Sequence, residues 1–69
     1  MKFKRLYAEM ILRGISKKDL AKLLNKSERV IRNRLNGVSE FTYDEMMLIA
    51  ATYFNNCGHM VQKVFFSEV

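Results

Sequence analysis

The sequence predicts an all-α fold, and three observations lead to that prediction. The 69-residue chain contains no proline and only three glycines, which suits helices and disfavours a protein rich in β-hairpins. Apolar residues recur at spacings of three and four, which is the period of a helix with one buried face. Two segments, beginning at Ser16 and Thr42, have the form of a capping box that opens a helix.

The first two helices are bounded by residues that favour helix ends. Helix one is predicted over about residues 2–13 and ends at Gly14, which supplies a left-handed cap. Its apolar residues are Phe3, Leu6, Tyr7, Met10 and Ile11. Helix two is predicted to follow Ser16, whose capping box with Asp19 satisfies free N–H groups of the first turn. Its apolar stripe consists of Leu20, Ala21, Leu23 and Leu24.

Helix three is predicted from Glu28 to about Asn36. Ser27 is its expected N-cap and Gly37 stops it. Its inward-facing residues are Val30, Ile31 and Leu35. A short loop then brings Phe41 into the core.

Helices two and three have the spacing of a helix-turn-helix, over about residues 16–37. The turn between them takes about three residues, as in proteins that place the second helix in the DNA major groove. Ala21 is small enough to let the helices cross closely, and Ile31 is placed to pin helix three onto helix two. Asn25 tolerates the left-handed geometry that such a turn requires.

Helix four begins at the capping box Thr42-Tyr43-Asp44-Glu45 and continues with the uncharged run MMLIAATYF. The segment Asn55-Asn56-Cys57-Gly58 breaks it. A short fifth helix is predicted over about residues 59–65. Because no linker, repeat or low-complexity segment interrupts the chain, residues 1–69 are predicted to form one domain.

Charge is distributed unevenly along the chain. The formal net charge of +5 arises from +8 over residues 1–36 and −3 over residues 37–69. A basic half with a polar recognition surface suggests a polyanionic partner such as nucleic acid. The charge alone is a weak signal, because many small domains are basic.

Composition excludes several classes of protein. Cys57 cannot form an internal disulfide, and with one histidine and no CxxC pair a zinc site is not expected. Cys57 is interpreted as a partly buried residue in a reducing cytosol. No apolar run reaches the roughly 20 residues that cross a membrane, and the start MKFKRLYAEM lacks the apolar stretch of a secretion signal. Without a nucleophile–base set or a phosphate-cradling glycine loop, no enzyme, metal, cofactor or small-molecule ligand is predicted.

One face of helix three carries side chains suited to reading base edges. It lies opposite Ile31 and Leu35 and consists of Arg29, Arg32, Asn33 and Asn36. Arginine can bind guanine O6 and N7 together, and asparagine can bind adenine N6 and N7. Glu28 either accepts from cytosine N4 or supports the helix start. Phosphate contacts, which strengthen binding without selecting sequence, are expected from Lys17, Lys18 and Lys26. The alternative interpretation is a solvated face with no ligand.

The segments DLAKLLNKSERVIRNRLNG and SEFTYDEMMLIAATYF resemble the lambda-repressor-like helix-turn-helix family, which includes Xre proteins, phage repressors and Cro. The resemblance covers about residues 3–66. It is particularly to small phage-type members of the family that have an RLNG-x-SEFT-x-DE run and a VFF ending. It implies a compact five-helix domain that regulates transcription in the prokaryotic cytoplasm. Such proteins commonly bind as homodimers to a palindromic operator in double-stranded DNA.

The resemblance also assigns roles to individual residues. The family's base-contacting positions fall on Glu28, Arg29, Arg32 and Asn33. Its phosphate contacts fall near Lys17, Lys26, Asn36 and the loop at Ser39. Two positions depart from the family pattern. Asn25 replaces the common turn glycine, and Lys26 stands where an aliphatic residue is common, so the turn is expected to pack less tightly.

The second half of the chain has more apolar residues than one core-facing helix needs. The core stripe of helix four is predicted to be Met46, Ile49, Ala50 and Tyr53, with Phe54 beside it. A homodimer or partner surface is predicted from Met47, Leu48, Ala51, Phe65 and Phe66. The alternative is a covered core with a few exposed methionines. Tyr43 either packs on Met47, the preferred interpretation, or brings its hydroxyl to a phosphate.

The sequence is compatible with two functions. The first is a sequence-specific DNA-binding regulator, repressor- or Cro-like and of phage or mobile-element origin, that inserts residues 28–36 into the major groove. The second is a protein-interaction module, such as an antitoxin or antirepressor, that covers a partner with its apolar half. A membrane-surface helix at residues 1–13 is disfavoured because the core needs its apolar face.

Overall fold

The computed structural model describes residues 1–66, and over that range it confirms the all-helical prediction. Five α-helices follow one another, and the fifth continues directly into a π-helical segment. Their bounds are α1 Lys4–Arg13, α2 Lys17–Leu24, α3 Glu28–Asn36, α4 Tyr43–Tyr53 and α5 Gly58–Val61, followed by the π-helical segment Gln62–Phe66. The predicted fifth helix, about residues 59–65, is therefore present but has two helical geometries.

Side-chain caps and left-handed residues set the ends of α2 and α3. The Ser16 hydroxyl accepts a hydrogen bond from the Asp19 N–H at 3.1 Å, and the Asp19 carboxylate accepts from the Ser16 N–H at 2.8 Å. Asn25 closes α2 in the left-handed conformation, with φ of 56°. The Ser27 hydroxyl then accepts from the Val30 N–H at 3.2 Å. The predicted capping box, turn residue and N-cap are all confirmed.

The second predicted capping box, at the start of α4, is also confirmed. The Thr42 hydroxyl accepts from the Glu45 N–H at 3.1 Å, and the Glu45 carboxylate accepts from the Thr42 N–H at 2.9 Å. Past the other end of α4, Asn55 and Asn56 are both left-handed, and the Asn56 N–H donates to the Ala50 carbonyl at 2.9 Å. Asparagine tolerates this backbone conformation better than most residues do, which explains the break between α4 and α5.

The core is formed by residues from all the longer helices and from the C-terminal π-helical segment. The largest fully buried side chains are Leu6, Met10, Leu20, Ile31, Leu35, Ile49 and Val64. Phe41 enters from the loop before α4, as predicted, and its ring meets those of Phe3 and Phe65 edge to face. The centroid distances are 5.3 and 5.5 Å, within the range that favours aromatic pairs.

The start of α1 differs from the prediction. The helix begins at Lys4, because the backbone of Phe3 is not helical, with φ of −98° and ψ of 63°. The N–H groups of Lys2 and Phe3 instead both donate to the Leu35 carbonyl at 3.0 Å. These two residues are thereby held against the end of α3 and do not continue α1 towards the N-terminus. A bond between residues this far apart in sequence has no signal in the local apolar pattern.

Two residues, Ile11 and Cys57, are more exposed than the sequence indicated. Ile11 fits the apolar period of α1, yet it is 63% exposed, and the neighbouring Leu12 is 78% exposed. The C-terminal π-helical segment is the main element packed on α1, so part of the last turn of α1 stays uncovered. Cys57 is exposed rather than partly buried.

Candidate nucleic-acid interface

The helix-turn-helix unit consists of α2, α3 and the turn Asn25-Lys26-Ser27. The Lys26 N–H donates to the Ala21 carbonyl at 2.9 Å, which carries the turn back over the end of α2. Ala21 is buried and Ile31 is fully buried, so the two positions chosen from the sequence do lie in the packed region between the helices. The Lys26 side chain, which stands where the family commonly has an aliphatic residue, is exposed.

Helix α3 has a buried face and an exposed polar face. Ile31 and Leu35 are fully buried, whereas Arg29 and Arg32 are exposed. Within residues 1–66, neither Arg29 nor Arg32 forms an ion pair. Their guanidinium groups are therefore available to an external acceptor, and each can donate two parallel hydrogen bonds.

The remaining predicted base-contacting residues lie on the same short helix. Glu28 is exposed at its first turn, and Asn33 is half-buried. The Asn33 carbonyl accepts from the N–H groups of Val38 and Ser39, at 2.9 and 3.3 Å. Asn33 thus fixes the loop that follows α3 through its backbone.

The predicted phosphate-contacting residues lie at three places along the helix-turn-helix and the loop after it. Lys17 and Lys18 lie in the first turn of α2, and Lys26 lies in the turn before α3. At the other end of α3, Asn36 is exposed and Ser39 is half-buried. The Lys17 ammonium lies 5.5 Å from the centroid of the Tyr7 ring, which orients this cation without neutralising it.

Arg34 is a basic residue of α3 whose role the sequence did not reveal. Its Nε and Nη2 atoms each donate to a different oxygen of Glu45, at 3.2 Å, and both side chains are largely buried. Arg34 follows Ile31 by three positions, so the helical period places it beside the core. That spacing could have predicted that Arg34 is partly buried, but it does not identify Glu45 as the partner.

Glu45 therefore has two roles at once, as the capping residue of α4 and as the partner of Arg34. Burial raises the pKa of its carboxyl, but the Thr42 N–H and the Arg34 guanidinium lower it by more. The net result is a pKa below the ordinary value, so the carboxylate stays charged at neutral pH. This pair ties α3 to the start of α4 and leaves Arg34 unavailable to a ligand.

Comparison with known proteins agrees with this geometry. A family model described as helix-turn-helix matches residues 6–55. The chain belongs to the helix-turn-helix family. This finding supports the resemblance to lambda-repressor-like and Xre proteins, and it makes the chain a DNA-binding protein of a family that is not enzymatic. No curated protein and no solved structure matches the chain.

The predicted partner surface of this helix-turn-helix protein needs one correction. Phe65 is 6% exposed, because its ring packs in the core against Phe3 and Phe41, at 6.1 and 5.5 Å between centroids. It does not contribute to an exposed surface. Leu48 and Phe66 are 44% and 55% exposed. Of the other two, Ala51 is exposed and Met47 is half-buried.

Tyr43 also departs from the preferred interpretation. Its side chain is 70% exposed, which does not fit a ring packed on Met47 and leaves the hydroxyl accessible at the start of α4. Among residues 1–66, no group of His, Cys, Asp and Glu is arranged to hold a metal ion. No helix in that part of the helix-turn-helix protein is long and apolar enough to cross a bilayer.

Proposed function

We propose that this helix-turn-helix protein is a sequence-specific regulator of transcription that inserts α3 into the major groove of double-stranded DNA. The observation that carries the proposal is the division of α3 into two faces. Ile31 and Leu35 are fully buried, while the guanidinium groups on the opposite face are exposed. An α-helix fits the major groove, and only its exposed face can reach base edges there.

The residues divide into a reading set and a positioning set. Base edges are contacted by Glu28, Arg29, Arg32 and Asn33. Phosphates are contacted by Lys17, Lys18, Lys26, Asn36 and Ser39. The second set holds the register of the protein on the duplex, so that the first set meets a defined sequence. Arg34 belongs to neither set, because Glu45 holds it.

The regulator acts as a repressor of the Cro type, from a phage or mobile element, in the cytoplasm of a prokaryote. The support is the resemblance of residues 3–66 to small phage-type members of the family, together with the family match. Occupation of an operator excludes other proteins from the same DNA. This mode of action needs no catalytic group in the protein.

We further propose that two copies bind a palindromic operator. The Cα atoms of one protomer span 27 × 23 × 23 Å, whereas successive half-sites on one face of DNA lie about 34 Å apart. One protomer with one recognition helix therefore reads a single half-site. The contact between the copies is assigned to Leu48, Ala51 and Phe66, with Met47 at its edge.

The proposal is tested by selecting bound molecules from a pool of random double-stranded DNA at two salt concentrations. An enriched inverted repeat is the expected result. Arg32→Ala and Asn33→Ala should then each weaken binding to the selected sequence by about 1–3 kcal/mol while changing random-DNA binding little. Lys26→Ala is the matched control. It should weaken binding to both DNAs equally and lower the salt dependence of log K by about one.

Two results would contradict the proposal. If Arg32→Ala and Asn33→Ala bound selected and random DNA as the wild type does, the reading face would be placed wrongly. If no sequence were enriched and binding vanished at the higher salt, the basic face would be a general polyanion surface.

A second candidate function is supported by the exposure of Leu48 and Phe66, which are large apolar side chains. In this alternative the protein is an antitoxin or antirepressor whose apolar half covers a partner protein. It predicts a stoichiometric complex on purification from the native host and weak affinity for DNA. A toxin gene next to its own would favour this alternative, and an integrase gene would favour the first.

A further inference from the structure

The residues that precede α1 are fixed against the C-terminal end of α3. The N–H groups of Lys2 and Phe3 both donate to the Leu35 carbonyl at 3.0 Å. The Phe3 ring is held as well, edge to face with Phe41 at 5.3 Å and with Phe65 at 6.1 Å. Backbone and side chain together give residues 2–3 a defined position at the end of the recognition helix.

The Lys2 side chain runs directly over Gly37, the residue that caps α3. A Cβ atom at position 37 would lie 2.9 Å from Lys2 Cδ and 3.0 Å from Lys2 Cβ, closer than carbon atoms normally approach. Gly37 also has φ of 82°, which L-residues with side chains rarely adopt. Glycine at this position therefore has two roles. It adopts the left-handed conformation of the cap, and its lack of a Cβ leaves room for the Lys2 side chain.

The Lys2 ammonium is exposed at this site. It lies 5.5 Å from the centroid of its neighbour's ring, Phe3, and no carboxylate pairs with it within residues 1–66. Glu40 lines the same groove as Lys2 but forms no ion pair with it in the described part of the chain. The ammonium is thus available to an external anion.

We propose that Lys2 binds a DNA phosphate beside the C-terminal end of α3, as an additional contact of the interface. Gly37 directly follows Asn36 and is two residues from Ser39, and both of these are assigned to phosphates above. Asn36 and Ser39 are uncharged, so Lys2, which lies across Gly37, adds a cation to the proposed phosphate contacts at this end of α3. The inference rests on the proposed insertion of α3 into the major groove.

A purely structural role for Lys2 makes a different prediction. A cation near the C-terminal end of a helix interacts favourably with the helix dipole, so Lys2 could act only on the stability of α3. Its loss would then lower the unfolding temperature and leave the salt dependence of DNA binding unchanged. A phosphate contact is instead measured by counterion release, which stability does not affect.

The experiment compares Lys2→Gln, Lys2→Arg and Lys63→Gln with the wild type, using a random-sequence duplex pool and the selected sequence at a series of salt concentrations. Lys63→Gln is the control for net charge, because the Lys63 ammonium binds Glu9 at 3.3 Å, across α1 and the π-helical segment. We expect Lys2→Gln to lower the slope of log K against log salt by about 0.9, which is roughly eightfold in affinity at about 0.1 M salt. The loss should be equal on both DNAs, and Lys2→Arg should restore binding.

Each contrary outcome has a distinct meaning. A slope for Lys2→Gln equal to that of Lys63→Gln would overturn the proposal, and a lowered unfolding temperature with the wild-type slope would assign Lys2 to helix stability alone. If the wild type itself showed no salt-dependent binding to duplex DNA, the proposed function would fail, and the Lys2 contact with it. That failure is recognised before any variant is measured.

Discussion

At the residue scale, the turn of the helix-turn-helix depends on one left-handed asparagine. Asn25 has φ of 56° and ψ of 46°, and its N–H donates to the carbonyls of Ala21 and Lys22. Asparagine is one of the few side chains that adopt this conformation as a single residue. The departure from the family's common turn glycine is therefore compatible with the same backbone.

This gives a prediction with a matched pair of substitutions. Asn25→Gly should leave the free energy of unfolding within about 0.5 kcal/mol of the wild type, because glycine adopts positive φ freely but loses more chain entropy on folding. Asn25→Ala should lower it by about 1–2 kcal/mol, since alanine pays the full left-handed penalty. Urea unfolding curves measure both. Equal stabilities of the two variants would show that the turn relaxes to another conformation.

At the scale of elements, what the sequence could predict depended on whether the deciding contacts were local. The bounds of α3 were predicted correctly, because the Ser27 hydroxyl and Gly37 determine its ends within the helix itself. The start of α1 lies at Lys4 rather than at about residue 2. The backbone of Phe3 is not helical there, and the Leu35 carbonyl, distant in sequence, accepts from the N–H groups of Lys2 and Phe3. The helical period predicted that Arg29 and Arg32 are exposed on α3. It could not show that Arg34, on the same helix, would be held by Glu45.

The tie between α3 and α4 makes the stability of the protein depend on pH in a specific way. The folded-state pKa of Glu45 lies below its ordinary value of 4.5, because the Thr42 N–H and Arg34 together outweigh the effect of burial. A carboxyl with a lowered pKa stabilises the fold above its unfolded pKa, and that stability is lost as pH falls through the folded pKa. The relevant window therefore lies below about pH 4.5.

Glu45→Gln is expected to cost about 1.5 kcal/mol of unfolding free energy at neutral pH, since hydrogen bonds to a charged group are lost. The difference from the wild type should shrink as the pH falls through the lowered folded-state pKa of Glu45, because the wild-type carboxyl then becomes neutral as well. Glu40→Gln, which removes the same charge from an exposed loop residue, serves as the control. Thermal unfolding followed by circular dichroism across pH measures all three proteins. A Glu45→Gln difference that stayed constant with pH would mean that charge on Glu45 is not what stabilises the fold.

Some acid sensitivity should persist in Glu45→Gln. The pKa of Glu9 is lowered by hydrogen bonding to Arg13 and to Lys63, and the pKa of Asp19 is lowered by the Ser16 N–H and hydroxyl. Both groups contribute stability in the same direction, which is lost on acidification. Of the three carboxylates, Glu45 is the one that connects the recognition helix to another element.

At the scale of the whole molecule, charge is distributed unevenly along the chain. Residues 1–36 carry a net charge of +8 and include all of α3, whereas residues 37–69 carry −3. The exposed apolar residues Leu48 and Phe66 fall in the second part, beyond the recognition helix. The charge distribution favours a polyanionic partner for the basic half, which contains α3. Leu48 and Phe66 lie outside α3, so a second copy bound there would not need the residues that are proposed to contact bases.

One protomer reads one half-site, so contact between two copies should be visible as cooperative binding. If two copies contact each other while each reads a half-site, binding to the selected operator is cooperative at its natural spacing. Inserting about five base pairs, half a helical turn, moves the half-sites to opposite faces of the duplex and should abolish the cooperativity. Titrations on single and paired half-sites measure this directly.

Substitutions on the two exposed apolar regions then locate the contact between copies. Leu48→Glu should remove cooperativity at the natural spacing while keeping the affinity for a single half-site, because a charge at the centre of an apolar contact cannot be desolvated cheaply. Ile11→Glu is the matched control, since Ile11 is an exposed apolar residue on α1, outside the proposed surface. The opposite pattern would move the contact to α1. Two copies that bound independently at every spacing would show that each protomer acts alone, and the exposed residues of α4 would then need a different partner.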